Sequence, residues 1–307
     1  MNGASSMRGE AIHGVRHGSP AFAVPAGACD CHVHVFGPAD RFPYAAGRTY
    51  TPGDASIADL LALRRGLGME RVVIVQASPH GADNACTLDA LRQLGACARG
   101  VAVIDANTTD AQLADMHTAG VRGVRVNLET AGQHDPAAAR RLLAEAAARV
   151  APLGWHVQVF TSLAVITSLH DAILALPTTL VIDHFGRAPA ALGAGGPGFD
   201  RLLSLVASGK VYVKLSAPHR VSLAPDCVDV APLARALIAA NPQRMVWGSD
   251  WPHPGGAPAG AARRPDVIEA FAPIDDGRAL ERLAQWTSGA AELENILVHN
   301  PARLYDF

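Results

Sequence analysis

The chain has 307 residues, longer than the commonest single domain but within the range of one α/β barrel, a fold that takes ~250 residues or more. A hydrophobic fraction of 49% against 18% charged residues excludes an extended disordered chain. A formal net charge of −2, with no long Lys/Arg run, excludes the electrostatic footprint of a nucleic-acid or anionic-membrane binder and leaves a small molecule as the expected partner.

Residues 1–25 carry scattered Arg and His among Gly, Ser and Ala, without the apolar core of a signal peptide, and no later stretch reaches the ~18 apolar residues of a membrane span. The five cysteines, Cys29, Cys31, Cys86, Cys97 and Cys227, are odd in number and contain no Cys-x-x-Cys pair, which argues for a reducing compartment. These features predict a cytoplasmic protein. Its tail over 1–25 is flexible unless it docks on the barrel or a neighbouring subunit, and a single catalytic domain covers 26–307.

Runs rich in β-branched residues then recur between amphipathic stretches, the pattern of parallel strands joined by helical crossovers. Strands are expected at Cys29–His34, Arg71–Gln76, Gly100–Asp105, Val121–Asn127, Trp155–Phe160, Leu180–Asp183, Val211–Ser216 and Met245–Asp250. Helices are expected at Ser56–Gly66, Asn84–Gly95, Thr109–Ala119, Pro136–Val150, Leu163–Leu176, Phe199–Ser208 and Val230–Ala240. Eight strands in regular alternation point to a closed (β/α)8 TIM barrel. The competing doubly wound sheet lacks a Gly-x-Gly-x-x-Gly turn after its first strand. Catalytic groups in such barrels sit at the carboxyl ends of the strands, so the Gly-rich 193–198 connection and the Pro/Gly/Ala-rich 252–265 excursion would flank the site mouth. Ala- and Leu-rich helical outer faces also permit a homodimer.

Chemistry-bearing residues gather at those strand ends. The first strand ends Asp30-Cys31-His32-Val33-His34, and period-two geometry turns His32 and His34 to one side. The sixth runs into Asp183-His184-Phe185-Gly186-Arg187, where His184 would face the mouth and Asp183 would pair Arg187 in a purely structural reading. The eighth ends Gly248-Ser249-Asp250-Trp251-Pro252, stopping an apolar run at a carboxylate. Trp walls would raise the pKa of Asp250, and nearby cations would lower it. Arg125 on the fourth strand, Arg187 after the sixth and Arg220 after the seventh fall where an anionic substrate would enter, and the planar guanidinium fork suits a carboxylate. Asn127, Gln158 and Lys214 complete the candidate lining, although Lys214 would serve equally in an ion pair inside the barrel.

The His-x-His, the Asp183-His184-Phe185-Gly186 stretch, the Gly248-Ser249-Asp250-Trp251-Pro252 stretch and the closing Asn300-Pro301-Ala302-Arg303-Leu304-Tyr305 together resemble the amidohydrolase-2 branch of the amidohydrolase superfamily, over about residues 25–307. Within it, Asp30 through Pro38, Gly123-Val124-Arg125 and Val213-Lys214-Leu215-Ser216 are most similar to the 2-pyrone-4,6-dicarboxylate lactonase and sugar-lactone hydrolase group. The resemblance implies an amidohydrolase-type barrel and lactone hydrolysis. It also implies a substrate-binding serine at Ser78 and a catalytic set of His32, His34, His184 and Asp250.

The superfamily's metal pattern is incomplete here, because Arg125 and Asn127 on the fourth strand and Gln158 on the fifth stand where the resemblance would put ligands. No cofactor is expected; the alternative is one zinc ion on His32, His34 and Asp250. The Asn127-Leu128-Glu129-Thr130-Ala131-Gly132 stretch lacks the further basic residue of the dicarboxylate lactonases and adds Glu129. This favours a monocarboxylate or a hydroxylated sugar-acid lactone as substrate. The expected chemistry is attack of Asp250-activated water on a lactone carbonyl polarised by the histidines. A lactone isomerase or a zinc-dependent amidohydrolase or decarboxylase on the same scaffold is the alternative.

Overall fold

The protein is described by a computed structural model covering residues 11–255 and 263–307. Eight parallel strands form one sheet in chain order: β1 (Cys29–Val33), β2 (Arg71–Val75), β3 (Ala98–Ala102), β4 (Val121–Asn127), β5 (His156–Phe160), β6 (Leu180–Ile182), β7 (Val211–Ser216) and β8 (Met245–Gly248). The expected (β/α)8 barrel is present. Its seam lies just beyond β8, where Asp250 N donates to the His32 carbonyl at 2.9 Å and His34 N donates to the Trp251 carbonyl at 2.8 Å. Gly248 makes this seam sterically feasible, since a Cβ there would lie 2.6 Å from His32 Cβ and 2.7 Å from His32 N.

Helices fill the crossovers and pack their apolar faces on the outer side of the sheet. The first, α1 (Ile57–Leu67), starts with a reciprocal capping box between Ser56 and Asp59 and ends at Gly68 in the left-handed region, φ 73°. The helix expected over Leu163–Leu176 is instead broken at Leu169 into Leu163–Ser168 and His170–Leu174. Before the break, the Thr167 and Ser168 hydroxyls donate to the Ala164 and Val165 carbonyls, competing with the backbone ladder.

The first strand departs from simple alternation. Asp30 pairs with Val72 but Val33 pairs with Ile74, so β1 carries one extra residue between those points, a β-bulge. Cys29 and Cys31 belong to the inner cluster that plugs the barrel's N-terminal end with Val73, Tyr212 and Tyr305, whereas Val33 belongs to the outer core. The bulge therefore lets His32 and His34 turn inward even though Cys31 already does. Asp30 satisfies the loosened backbone by accepting from His32 N and Ser249 N at 3.2 and 2.9 Å.

Of the two states the sequence left open for the tail, residues 11–25 take the docked one, lying on the barrel; residues 1–10 lie outside the described residues. Gly18 N donates to Asp275, Ala21 N donates to Glu281, and His17 lies 3.2 Å from the buried Asp276 carboxylate. A Cβ on Gly277 would sit 1.8 Å from the Gly18 carbonyl oxygen, so the two backbones touch. Residues 256–262 of the 252–265 excursion also lie outside the described residues. Among the described residues no helix is long and apolar enough to cross a membrane.

Replacing Gly248 with Ala drives a methyl group into His32 at the seam. We expect a loss of about 1 to 3 kcal/mol in urea unfolding, with the same change at the unobstructed Gly47 near neutral.

Candidate active site

At the carboxyl end of the barrel, three imidazoles meet one carboxylate oxygen. His32 Nε2, His34 Nε2 and His184 Nε2 lie 3.5, 3.6 and 3.7 Å from Asp250 Oδ1. All four side chains are buried. His184 and Asp250 each lie two residues beyond their strands, β6 and β8, with φ of 49° and 71°, a region that costs an L residue of order 1–3 kcal/mol and concentrates at functional sites.

The other oxygen of Asp250 is taken by Arg220, which donates from Nε at 2.9 Å and places Nη2 at 2.7 Å. Burial alone would raise the Asp250 carboxyl, but Arg220 and then the imidazoles overcome it and hold the group well below the carboxylate range. Of the two opposing expectations for this residue, the cations win over the Trp walls.

Hydrogen bonding orients the rings. The Val75 carbonyl, 2.8 Å from His34 Nδ1, can only accept, so that nitrogen carries a proton and Nε2 is the ring nitrogen turned to the centre. His184 Nδ1 is paired with the Ser216 hydroxyl at 2.8 Å. His32 Nδ1 lies 3.2 Å from Lys214 Nζ and 3.4 Å from Asp183 Oδ1.

Lys214 is fully buried and lies beneath the histidines, donating to the Cys31 carbonyl at 2.9 Å and to Gln158 Oε1 at 2.7 Å. Its charge is answered by Asp183, 3.6 Å away, which also receives Gln158 Nε2 at 3.0 Å and Arg125 Nη2 at 3.3 Å. Burial would raise Asp183, yet His32, Lys214 and Arg125 bring it well below its ordinary value. Asp183 was legible in the sequence only as a partner for Arg187, and here it pairs with Arg125 instead. Arg187 donates to Glu129 at 2.9 Å and to the Arg220 carbonyl at 2.9 Å. All three arginines expected to meet an anionic substrate thus already face a carboxylate of the protein.

Ser78 and Asn127 stand apart from the histidines, joined by a 2.7 Å hydrogen bond from Asn127 Nδ2. They line a cavity of about 250 Å³ together with Arg48, Gln76, Thr130 and Arg125, the last of which also touches Asp183. Arg48 went unnoticed in the sequence. It follows no strand end, and its place comes from the long loop after β1, where it donates to Thr51 and to the Ala45 and Pro265 carbonyls.

A barrel with its His-x-His, a strand-six histidine and a strand-eight aspartate converging in this way defines an amidohydrolase, and the chain belongs to that family, whose model matches residues 29–307. It is 40% identical over 297 residues to 2-pyrone-4,6-dicarboxylate hydrolase of Comamonas testosteroni, covering 93% of this chain and 92% of that protein. It is 38% identical over 287 residues to 4-sulfomuconolactone hydrolase of Rhizobium radiobacter, with 93% and 92% covered. A solved structure from Pseudomonas putida, described as a candidate 2-pyrone-4,6-dicarboxylic acid hydrolase, superposes with a TM-score of 0.76 at 33% identity, covering 92% of this chain and 98% of that one.

Buried imidazoles, two in the site and His156 at the other end of the barrel, give the protein a signature in stability. His32 and His156 are pushed down to about 3, by burial first and Lys214 second, and burial takes His184 well below 6.5. These rings stay neutral when folded and protonate when unfolded, so their contribution is present above pH 6.5 and fades as the pH falls below it. Asp30, raised to about 7 by burial, opposes them, because it holds its proton when folded and releases it near 4 when unfolded. Three imidazoles outweigh one carboxyl, so the urea midpoint should drop as the pH is lowered from 7 to 5. His156→Gln should make that slope shallower by about 1 kcal/mol per pH unit.

Proposed function

We propose that this protein opens lactones, cyclic esters of carboxylate-bearing or sugar acids, by attack of a water molecule activated at Asp250. The observation that carries the reading is the meeting of three imidazole nitrogens on Asp250 Oδ1. It is supported by relatives whose names assign them hydrolysis of a pyrone dicarboxylate and of a sulfomuconolactone.

The hydrogen-bond pattern divides the labour. A water seated over His34 Nε2 and Asp250 Oδ1, which lie 3.6 Å apart, is held by the ring and gives its proton to the carboxylate. Lys214 donates towards His32 Nδ1, which leaves the proton of that neutral ring on Nε2, a donor for the carbonyl oxygen as negative charge develops on it. Asp250 is ionised at neutral pH and enters as a proton acceptor. As its Oδ1 takes the proton of the attacking water, its charge falls and Arg220 loosens. Collapse of the tetrahedral intermediate then returns that proton to the departing ring oxygen, giving a hydroxy acid.

The same donors fit a single divalent ion. The ligand atoms of His32, His34 and Asp250 lie within 4.8 Å of one another, and His34 Nε2 already faces the carboxylate. Zinc held there would supply a Lewis acid for the carbonyl and acidify a water. Lys214 and Arg125 put positive charge around the rest of the cluster, which disfavours a second ion. We retain the metal-free reading as first choice because Arg220 and the hydrogen bonds to Lys214 and Val75 already organise the carboxylate and rings.

The cavity beside the cluster favours a substrate with one acidic group, because Arg48 meets only neutral acceptors while Ser78 and Asn127 supply further polar contacts. Glu129 removes charge from the rim by engaging Arg187, so a monocarboxylate or hydroxylated sugar-acid lactone fits better than a dicarboxylate. Such a small molecule is the only partner this reading requires.

Turnover of a panel of sugar-acid, pyrone and muconate lactones by chelator-treated protein is the test. Asp250→Asn should lower kcat roughly 100- to 10,000-fold, and undiminished turnover would sink the mechanism. A silent pH indicator beside a changed ring in NMR would replace hydrolysis by isomerisation. Activity that appears only with added zinc would make His32, His34 and Asp250 metal ligands.

A further inference from the structure

We infer that the N-terminal end of the barrel, opposite the candidate active site, holds a second binding site for a small multiply charged anion. A cavity of about 340 Å³ opens there, lined by His156, Thr178, Tyr212, Arg244 and Arg303 among others, with no acidic residue in its wall. That volume suits a phosphate ester or a small polycarboxylate.

The arginines are what point to an anion. Arg244 lies 4.8 Å from the Tyr212 ring centroid, and among the described residues it has neither an ion-pair partner nor an acceptor for its guanidinium. Arg303 makes one hydrogen bond, to the neutral side chain of Asn300, and no ion pair among the described residues. Elsewhere at this end, Arg122 faces Asp306, so arginines in the same region do find carboxylates when the cavity is not involved. A third cation is tethered near the rim, since Lys210 Nζ donates to the Leu176 carbonyl, next to the Pro177–Thr179 wall.

The buried polar atoms support the assignment. The Thr178 hydroxyl and both ring nitrogens of His156 lack hydrogen-bond partners, and the two residues are 6% and 3% exposed. Unpaired buried polar groups are costly and call for an explanation. Two guanidiniums and a hydroxyl around one cavity supply the donors that a tetrahedral or polycarboxylate anion requires. The site is separate from Asp250, because His156 opens β5 and Tyr212 lies near the start of β7, whereas the reacting groups sit at the strands' other ends. Gln158 and Lys214 follow two residues later on the same inward faces, so an occupant would lie one side-chain layer below the buried network.

Titration calorimetry of the full chain with inorganic phosphate and, separately, citrate tests the inference. We expect saturable binding of at least one anion, weakened ~10-fold or more by the double variant Arg244→Gln/Arg303→Gln, with lactone turnover and the anion-free melting temperature unchanged. Tighter phosphate would identify a phosphate ester as the class of ligand, and tighter citrate a polycarboxylate. If the double variant is poorly folded, Arg303→Gln alone, at an exposed position, should still weaken binding about threefold. Absence of saturable binding to both anions, or binding unaltered by these substitutions, would overturn the proposal.

Discussion

One extra residue in the first strand organises the carboxyl end of this barrel, where the candidate site lies. By inserting a bulge between Asp30 and Val33, the chain points Cys31 into the inner plug and still turns His32 and His34 toward the centre. The bulge frees a carbonyl at Cys31 and an N–H at His32, and neither can stay unpaired inside a protein. Lys214 meets the first and Asp30 the second. A buried ammonium then demands a counter-charge, which Asp183 provides, and Asp183 in turn gathers Gln158 and Arg125. Breaking such a pair by removing one member typically costs about 3–5 kcal/mol, so the polar layer stands or falls as a unit.

Much of this was legible in the sequence, for physical reasons. Strand period and β-branched runs locate all eight strands, because buried parallel strands leave a dense apolar signal. The His-x-His, His184 and Asp250 were readable because polar residues at the ends of apolar runs have few structural uses. Partners were less legible. Arg125 and Asp183 are 58 positions apart and meet only because β4, β5 and β6 are adjacent in register. No local spacing separates that pairing from the shorter-range Asp183–Arg187 alternative. The break at Leu169 and the docking of residues 11–25 depend on contacts that periodicity does not encode.

The electrostatic logic of the mouth follows from these pairings. Arg125, Arg187 and Arg220 each face an acid of the protein, but Asp183 answers Lys214 as well as Arg125, so the centre keeps a positive surplus with its cations held in fixed positions. An incoming anion has to share a guanidinium with Asp183, Glu129 or Asp250. Arg48, bound only to oxygens without charge, carries the surplus that would favour entry from the side of Ser78 and Asn127.

The contact between Gly18 and Gly277 redraws the physical limits of the molecule. The match to the family model begins at residue 29, yet the segment before it lies across the start of the Asp276–Trp286 helix and brings the His13 ring to 5.7 Å from Trp251, the neighbour of Asp250. Asp276, fully buried, receives part of its cover from His17, which lies before the residues that the family model matches. A chain trimmed to residues 29–307 would therefore open to water the side of the Asp276 carboxylate that His17 covers, leaving His253, 3.0 Å away, as its partner from within the barrel.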